Sequence, residues 1–288
     1  MRQKTRYAAL ALLVGLLLLP GPRPGEAGHE PFAVYEAWTT APTIRADRLI
    51  GSGDFGHEIE REVKDDKLVM RFRREGATSS DAGATGFFSN RLIVLNPLSV
   101  DQLEAHFRVR RLTVTGCPAN PTPSTARAAA IDLNRFSDLA PEAIRSPGDL
   151  TGDHVARVLA VRTSDAPDPE GQLQVQALLF RCNNAPCSST TPVAGPVTLG
   201  QVAVHEKFRL RLIWDGPGNQ FLAGLDDAPD VSLPYPGTAN SRSANVPGTL
   251  LRVQHLPANC TVASGGPTVA DTEIVVKEVL TNASAVIP

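Results

Sequence analysis

Residues 57–62 read HEIERE and set three glutamates, Glu58, Glu60 and Glu62, at every second position. On a β-strand, residues two apart face the same way, with Cα atoms roughly 6–7 Å apart. Such a row has two readings. Neighbouring carboxyls can share proton-transfer work, or they can be the wet side of an ordinary strand. Ile59 and Val63 supply an opposite, apolar side with Arg61 between them, and Lys64, Asp65 and Asp66 carry the polar character into a turn. That pattern predicts a half-buried strand with its glutamates in water. His57-Glu58 also opens a partial match to the zinc-protease motif HExxH. Arg61 stands where the second histidine belongs, and a strand would turn that position away. No GxSxG elbow, Gly-Lys-Ser/Thr phosphate loop or dinucleotide fingerprint occurs.

Two other acidic groups lie in loops. Asp165, Asp168 and Glu170 sit in DAPDPEG, and Asp226, Asp227 and Asp230 sit in LDDAPD. Clustered oxygens on Pro/Gly-bounded loops suit a hard cation such as Ca2+, although neither run has the spaced DxDxDG pattern and turn aspartates commonly cap backbone amides. Aromatic residues, which stack on sugar rings, make up 5% of the chain. Tyr35 and Trp38 near the N-terminal end and Tyr235 in LPYPG are the stacking candidates, while Trp214 alternates toward a core.

These residues need strands to hold them, and strand patterns dominate the chain. KLVMRFR (67–73) puts Leu68, Met70 and Phe72 on one face. LEAHFRVRR (103–111) puts Leu103, Ala105, Phe107 and Val109 inward, and FRLRLIW (208–214) alternates Phe208, Leu210, Leu212 and Trp214 with Arg209 and Arg211. Further strands are expected at 91–95, 126–134, 155–162, 173–182, 197–204, 220–225, 250–255 and 273–280, with DGPGN (215–219) as a hairpin loop. Only 140–145 reads as a helical turn. A dozen or so alternating strands predict an all-β, antiparallel two-sheet β-sandwich, its outward arginines forming a solvated face with partly buried stems.

The ends and the cysteines place the chain. Arg2, Lys4 and Arg6 precede an apolar run from Ala8 to Leu19, and a Pro/Gly-rich stretch then ends Gly25-Glu26-Ala27. This reads as a secretory signal peptide over residues 1–27, too short to span a bilayer, followed by a single domain over 28–288. Few lysines and abundant Arg, Ala, Pro and Gly suggest a high-GC bacterial source, so export means the periplasm or outside. The formal net charge of −2 argues against a general nucleic-acid binder. Four cysteines in an exported chain suggest two disulfides, with three pairings open. The turn-like NNAP between Cys182 and Cys187 favours their local pairing, which leaves Cys117 with Cys260. A zinc site would need CxxC pairs and companion histidines that are missing.

FRLRLIWDGPGNQFLAGLDD (208–227) resembles the strand–turn–strand hairpin of the concanavalin A-like lectin/glucanase superfamily, the jelly-roll sandwiches that include laminin-G-like domains. ADTEIVVKEVL (270–280) is similar to their closing strand, and GFFSNRLIVLNPLSVDQLEAHFRV with TGDHVARVLAVR resembles exported bacterial members. The resemblance implies a jelly roll that binds glycans, hydrolyses them or adheres to a cell-surface protein, in some cases with calcium. Laminarinase-like members carry a Glu-x-Asp-x-Glu strand supplying nucleophile, helper carboxylate and acid/base, and Glu58-x-Glu60-x-Glu62 is similar in spacing. A retaining pair needs its carboxyls about 5–5.5 Å apart. Glu60 stands where those members have Asp, the segment lies near the start of the domain, and no aromatic run adjoins it. The expectation is therefore an exported, non-catalytic sandwich that binds glycan or serves a structural role. A glycoside hydrolase using the glutamate row, or a laminin-G-like adhesion domain, is the alternative.

Overall fold

A computed structural model describes residues 29–39, 44–52, 57–135, 149–236 and 250–288. The signal-peptide reading over 1–27 and the helical turn expected at 140–145 lie outside these residues. From Pro31 to Pro288 the chain forms one compact unit. Its strands, in chain order, are β1 (Phe32–Glu36), β2 (Leu49–Ser52), β3 (Glu58–Val63), β4 (Leu68–Glu75), β5 (Phe88–Val94), β6 (Gln102–Val114), β7 (Thr125–Arg135) and β8 (His154–Thr163). There follow β9 (Gln172–Cys182), β10 (Thr190–Ala203), β11 (Lys207–Asp215), β12 (Gln220–Leu225), β13 (Val231–Pro234), β14 (Leu250–Leu256) and β15 (Val269–Asn282). Every expected strand is present. The short β1, β2 and β13 were not foreseen, because four or five residues carry too little alternation to register.

The strands form two antiparallel sheets, the sandwich that alternation predicted. One runs β13-β12-β11-β6-β15-β4-β3, with β1 also on β15, and the other runs β10-β9-β8-β7-β14-β5-β2. The core lies between them. Leu68, Met70 and Phe72 of β4, Leu103 to Val109 of β6 at alternate positions, and Phe208, Leu210 and Leu212 of β11 are buried from one side. Ile131, Leu133, Val158, Val175, Leu251 and Val253 meet them from the other. Trp214 is half-buried at the edge, where its Nε1–H donates to the Tyr235 hydroxyl at 2.9 Å.

Turn chemistry sets the registers. Asp65 and Asp66 both have positive φ, and Lys64 and Lys67 exchange backbone hydrogen bonds of 2.8 and 3.1 Å, a type I′ hairpin matched to strand twist. In DGPGN, Asp215 Oδ1 accepts the Gly218 amide at 3.0 Å and closes the β11–β12 turn. Both disulfides form, Cys117–Cys260 across a separation of 143 residues and Cys182–Cys187 across 5. Among the described residues, no helix is long and apolar enough to cross a membrane.

The interlayer space also holds polar groups with fixed partners. Asn90 donates to the carbonyls of Arg71 and Glu60, and accepts from Arg61 Nε at 2.6 Å. His255 stacks on Phe72 at 4.7 Å, and its Nε2 lies 2.9 Å from Thr272 Oγ1. Burial pushes this imidazole down to about 3, so it is a neutral core histidine at physiological pH.

Candidate functional site

The glutamate row lies on β3, the edge strand of the eight-stranded sheet. Ile59 and Val63 pack toward the core, and Glu60 and Glu62 are exposed. Across the ladder Glu58 faces Arg73, Glu60 faces Arg71 and Glu62 faces Val69. Arg71 lies 3.3 Å from Glu58 and 3.6 Å from Glu60, and Arg73 lies 3.6 Å from Glu58. Asp271 on β15 also pairs with Arg71, at 3.3 Å. The row belongs to an ion-paired ladder on the outer face of the sheet. A glycosidase keeps its acid protonated by desolvating it, and these side chains are wet.

The three aromatic candidates require correction. Tyr35, Trp38 and Tyr235 are 0%, 3% and 5% exposed. Tyr35 donates its hydroxyl to the Arg48 carbonyl at 2.8 Å, and Tyr235 stacks on His154 with centroids 4.9 Å apart. Rings packed on both faces have none to give a sugar. Single-residue spacing could not show this, since an aromatic near a loop packs under it as readily as it projects from it.

Four of the six loop acids bond protein partners. Asp226 Oδ1 accepts the Arg209 amide at 2.8 Å, Asp227 pairs with the Arg209 guanidinium, and Asp230 Oδ1 accepts from Arg211 Nη2 at 2.6 Å. Asp168 Oδ1 accepts from Gln201 at 2.8 Å, while Asp165 and Glu170 are exposed. Among the described residues, the one trio of ligand-type side chains with atoms within 4.8 Å of one another is Asp81, Cys117 and Cys260. Its sulfurs are spent on the disulfide. Among the described residues, the six loop acids form no such trio.

The chemistry-bearing face is elsewhere, on the outside of the seven-stranded sheet. Register aligns its outward residues across the strands. Gln254, Arg127, Val161 and Gln174 form one row, and Arg252, Ala130, Leu159 and Gln176 form the next. Asp132, Arg157 and Leu178 form the third. Arg127 and Asp132 are five apart and would face opposite ways on a regular strand. A bulge at Ala128 re-phases β7 and brings both to the outer side.

This face is buried to an unusual degree for one pointing away from the core. Asp132, Arg157, Arg252 and Gln254 are all under a tenth exposed. Arg157 forks onto Asp132 with bonds of 2.8 and 2.9 Å, and Arg252 bonds the same carboxylate. Desolvation pushes the Asp132 carboxyl upward against the pull of Arg252, Arg127 and Arg91. The fork of Arg157 and the single bond from Arg252 favour its charged form.

Arg127 stands beside this knot, with no carboxylate bonded to it among the described residues. Burial, then the like charge of Arg252, pulls its guanidinium down to about 10, so it stays cationic. Its Nη1 donates to Gln254 Oε1 at 2.6 Å, and its Cζ lies 4.2 Å from the ring centroid of Phe87. Phe87 is 45% exposed. In front of Arg127 opens a cavity of about 510 Å3 whose floor carries Gln174, Gln176 and Leu159. Pro196 of β10 and the loop Ala166–Asp168 wall it. Arg162 pins that loop, donating to the carbonyls of Asp168, Pro169 and Gln172 at 2.9 to 3.0 Å. A hollow lined by planar amides and a guanidinium that itself rests on an exposed ring can bind a polar ligand.

No family model and no curated protein matches this sequence. Solved structures similar to it include an endo-acting O-glycanase of the human gut microbiota that initiates mucin breakdown. That match has 11% identity, 86% of this chain, 99% of that one and a TM-score of 0.43. The catalytic domain of a laminarinase from Thermotoga petrophila matches at 9% identity, 88% and 99% coverage, and TM-score 0.40. The carbohydrate recognition domain of Emp47p matches at 11% identity, 88% and 99% coverage, and TM-score 0.31. Scores below 0.5 carry no argument about residue roles here.

Proposed function

We propose that this chain is an exported, non-catalytic carbohydrate-binding β-sandwich that holds a glycan on the outer face of its seven-stranded sheet. The observation that carries the reading is the 510 Å3 cavity at Arg127. Among the described residues, Arg127 has the neutral Gln254 as its bonded side-chain partner, and it rests on the exposed ring of Phe87. Guanidinium and amide groups are planar forks that match vicinal hydroxyls or a carboxylate. An exposed aromatic supplies the apolar platform a sugar ring needs. Hydrolysis has less support. Of the carboxylates described on this face, Asp132 is bonded by Arg157 and Arg252, and Asp168 holds Gln201. Neither is set up as half of an acid–nucleophile pair.

The test is a glycan array of neutral and uronic-acid chains, followed by calorimetry with Phe87→Ala and Arg127→Ala. The expected result is a saturable glycan ligand whose affinity falls in both variants. Wild-type affinity in both, or silence across the array, defeats the reading. Export predicts a secreted form beginning near Gly28, checked by N-terminal sequencing.

A further inference from the structure

The opposite face of the molecule carries a second hollow with a different character. On the outside of the eight-stranded sheet, a recess of about 460 Å3 opens across β11, β6, β15 and β4. Its floor includes Val275, which points outward yet is 4% exposed. Lys67, Arg108, Arg110, Lys207, Arg209 and Lys277 line it, against the single acid Asp226.

The placement of these cations works against folding. Lys207 stands directly opposite Arg108 in the β11–β6 ladder. Lys67 and Lys277 each lie one residue beyond the antiparallel pair Leu68–Val276, so they too are neighbours across strands. Like charges directly opposite one another destabilise a sheet. Some of the cations have local relief. Arg209 pairs with Asp227, Arg110 lies 3.6 Å from Glu273, and Lys277 lies 3.4 Å from Glu278. Arg108 donates only to the His205 carbonyl, at 2.9 Å. Among the described residues, the ammoniums of Lys67 and Lys207 have no carboxylate partner. Violations of local stability rules concentrate where a ligand supplies the compensation.

We infer that this recess is a binding site for an acidic polysaccharide. The cations are spread over four strands, roughly 14 Å at the usual strand spacing. That is wider than one phosphate or sulfate spans, and it suits a linear chain with repeated charges. The lining offers a nucleic-acid base little to stack on, because Phe107 and Phe208 are each 2% exposed and the His106 ring is held at both nitrogens by Glu104 and Glu278. It has no projecting apolar side chain to enter a lipid surface either, Val275 being buried. The site lies on the other sheet from the Arg127 cavity and stands independently of it.

The test is calorimetry at low and at physiological ionic strength with a heparin octasaccharide, a hyaluronate oligosaccharide, linear polyphosphate and neutral dextran. The octasaccharide or the hyaluronate chain binds, more weakly as salt rises, and dextran does not. The double variant Lys67→Ala/Lys207→Ala loses about tenfold or more in affinity at low salt, from two contacts. Arg45→Ala/Arg181→Ala, which removes the same charge away from the recess, loses less than about twofold. The unfolding midpoint of the recess variant is equal to or above wild type, because like-charge repulsion is relieved. Equal losses in the two variants, polyphosphate binding without either polysaccharide, or no binding at low salt overturns the proposal. So does a midpoint several degrees below wild type, since the lysines would then be held by the fold itself.

Discussion

Asp132→Asn is the most informative single change in the molecule. Asp132 is 2% exposed and accepts from Arg157 Nε at 2.8 Å, from Arg157 Nη2 at 2.9 Å and from Arg252. The amide keeps the shape of the side chain. It removes the charge, and it turns an acceptor oxygen into an N–H donor facing guanidinium donors. Two buried cations then lose their shared anion, with Arg127 already beside them. Removing one partner of a buried ion pair costs about 3–5 kcal/mol, most of it the penalty for the charge left behind. Domains are stable by only about 5–15 kcal/mol. A loss of that size lowers the melting midpoint by roughly 6–20 °C in a domain of this length. The assay is guanidinium denaturation of wild type and variant, with the m-value checked for constancy. Replacing all three together, Asp132→Leu with Arg157→Leu and Arg252→Leu, should cost less than Asp132→Asn alone, because neither guanidinium is then left buried without the anion it shared. A loss below about 1 kcal/mol for Asp132→Asn, at unchanged m, refutes the electrostatic account of this face.

Other outcomes follow from the same structure. His255 and His154 have folded values pushed down by burial to about 3 and about 4, against 6.5 for the free side chain. The unfolded chain therefore binds more protons below pH 6.5, and stability is full above that pH and lost as pH falls toward the folded values. Between pH 6.5 and 5 the loss is roughly 1–2 kcal/mol for each histidine, since both folded values lie below that window. Urea denaturation at the two pH values measures it, and an imidazole NMR titration of His255 centred near 6.5 contradicts it. Serine replacement of Cys117 and Cys260 costs up to about 5 kcal/mol, and of Cys182 and Cys187 up to about 2, since the longer loop restrains more of the unfolded chain. Denaturation midpoints should rank the two in that order. Replacing Glu58, Glu60 and Glu62 together with Gln shifts stability by less than about 2 kcal/mol, as exposed ion pairs do. It also leaves glycan binding unchanged, whereas a catalytic row would show hydrolysis in the wild type and none in the triple variant.

The inner faces of most strands were legible in the amino-acid sequence. Leu68, Met70 and Phe72, or Phe208, Leu210 and Leu212, alternate with polar residues, and a two-residue period is a local property of the backbone. Turn residues such as Asp65-Asp66 and Asp215–Asn219 were equally local. So was the wet character of the glutamate row, with Ile59 and Val63 behind it. The functional face was not local. In TARAAAIDLN, a lone arginine and a lone aspartate within an alanine-rich strand were the available signal, yet strict alternation sets them on opposite sides. The bulge at Ala128 reverses that, and it exists only because β7 pairs with β8 and β14 in particular registers.

The partners lie far along the chain as well. Asp132 meets Arg252 across 120 residues, and Arg71 meets Asp271 across 200. The same holds for the opposed cations of the recess, Lys207 with Arg108, which belong to strands whose neighbourhood topology alone decides. Tyr35, Trp38 and Tyr235 were exposed or buried according to what packed over them. Sequence thus determined which way each side chain leaves its own strand. Tertiary structure decided what stands opposite it, because strand register joins residues whose separation no local period encodes.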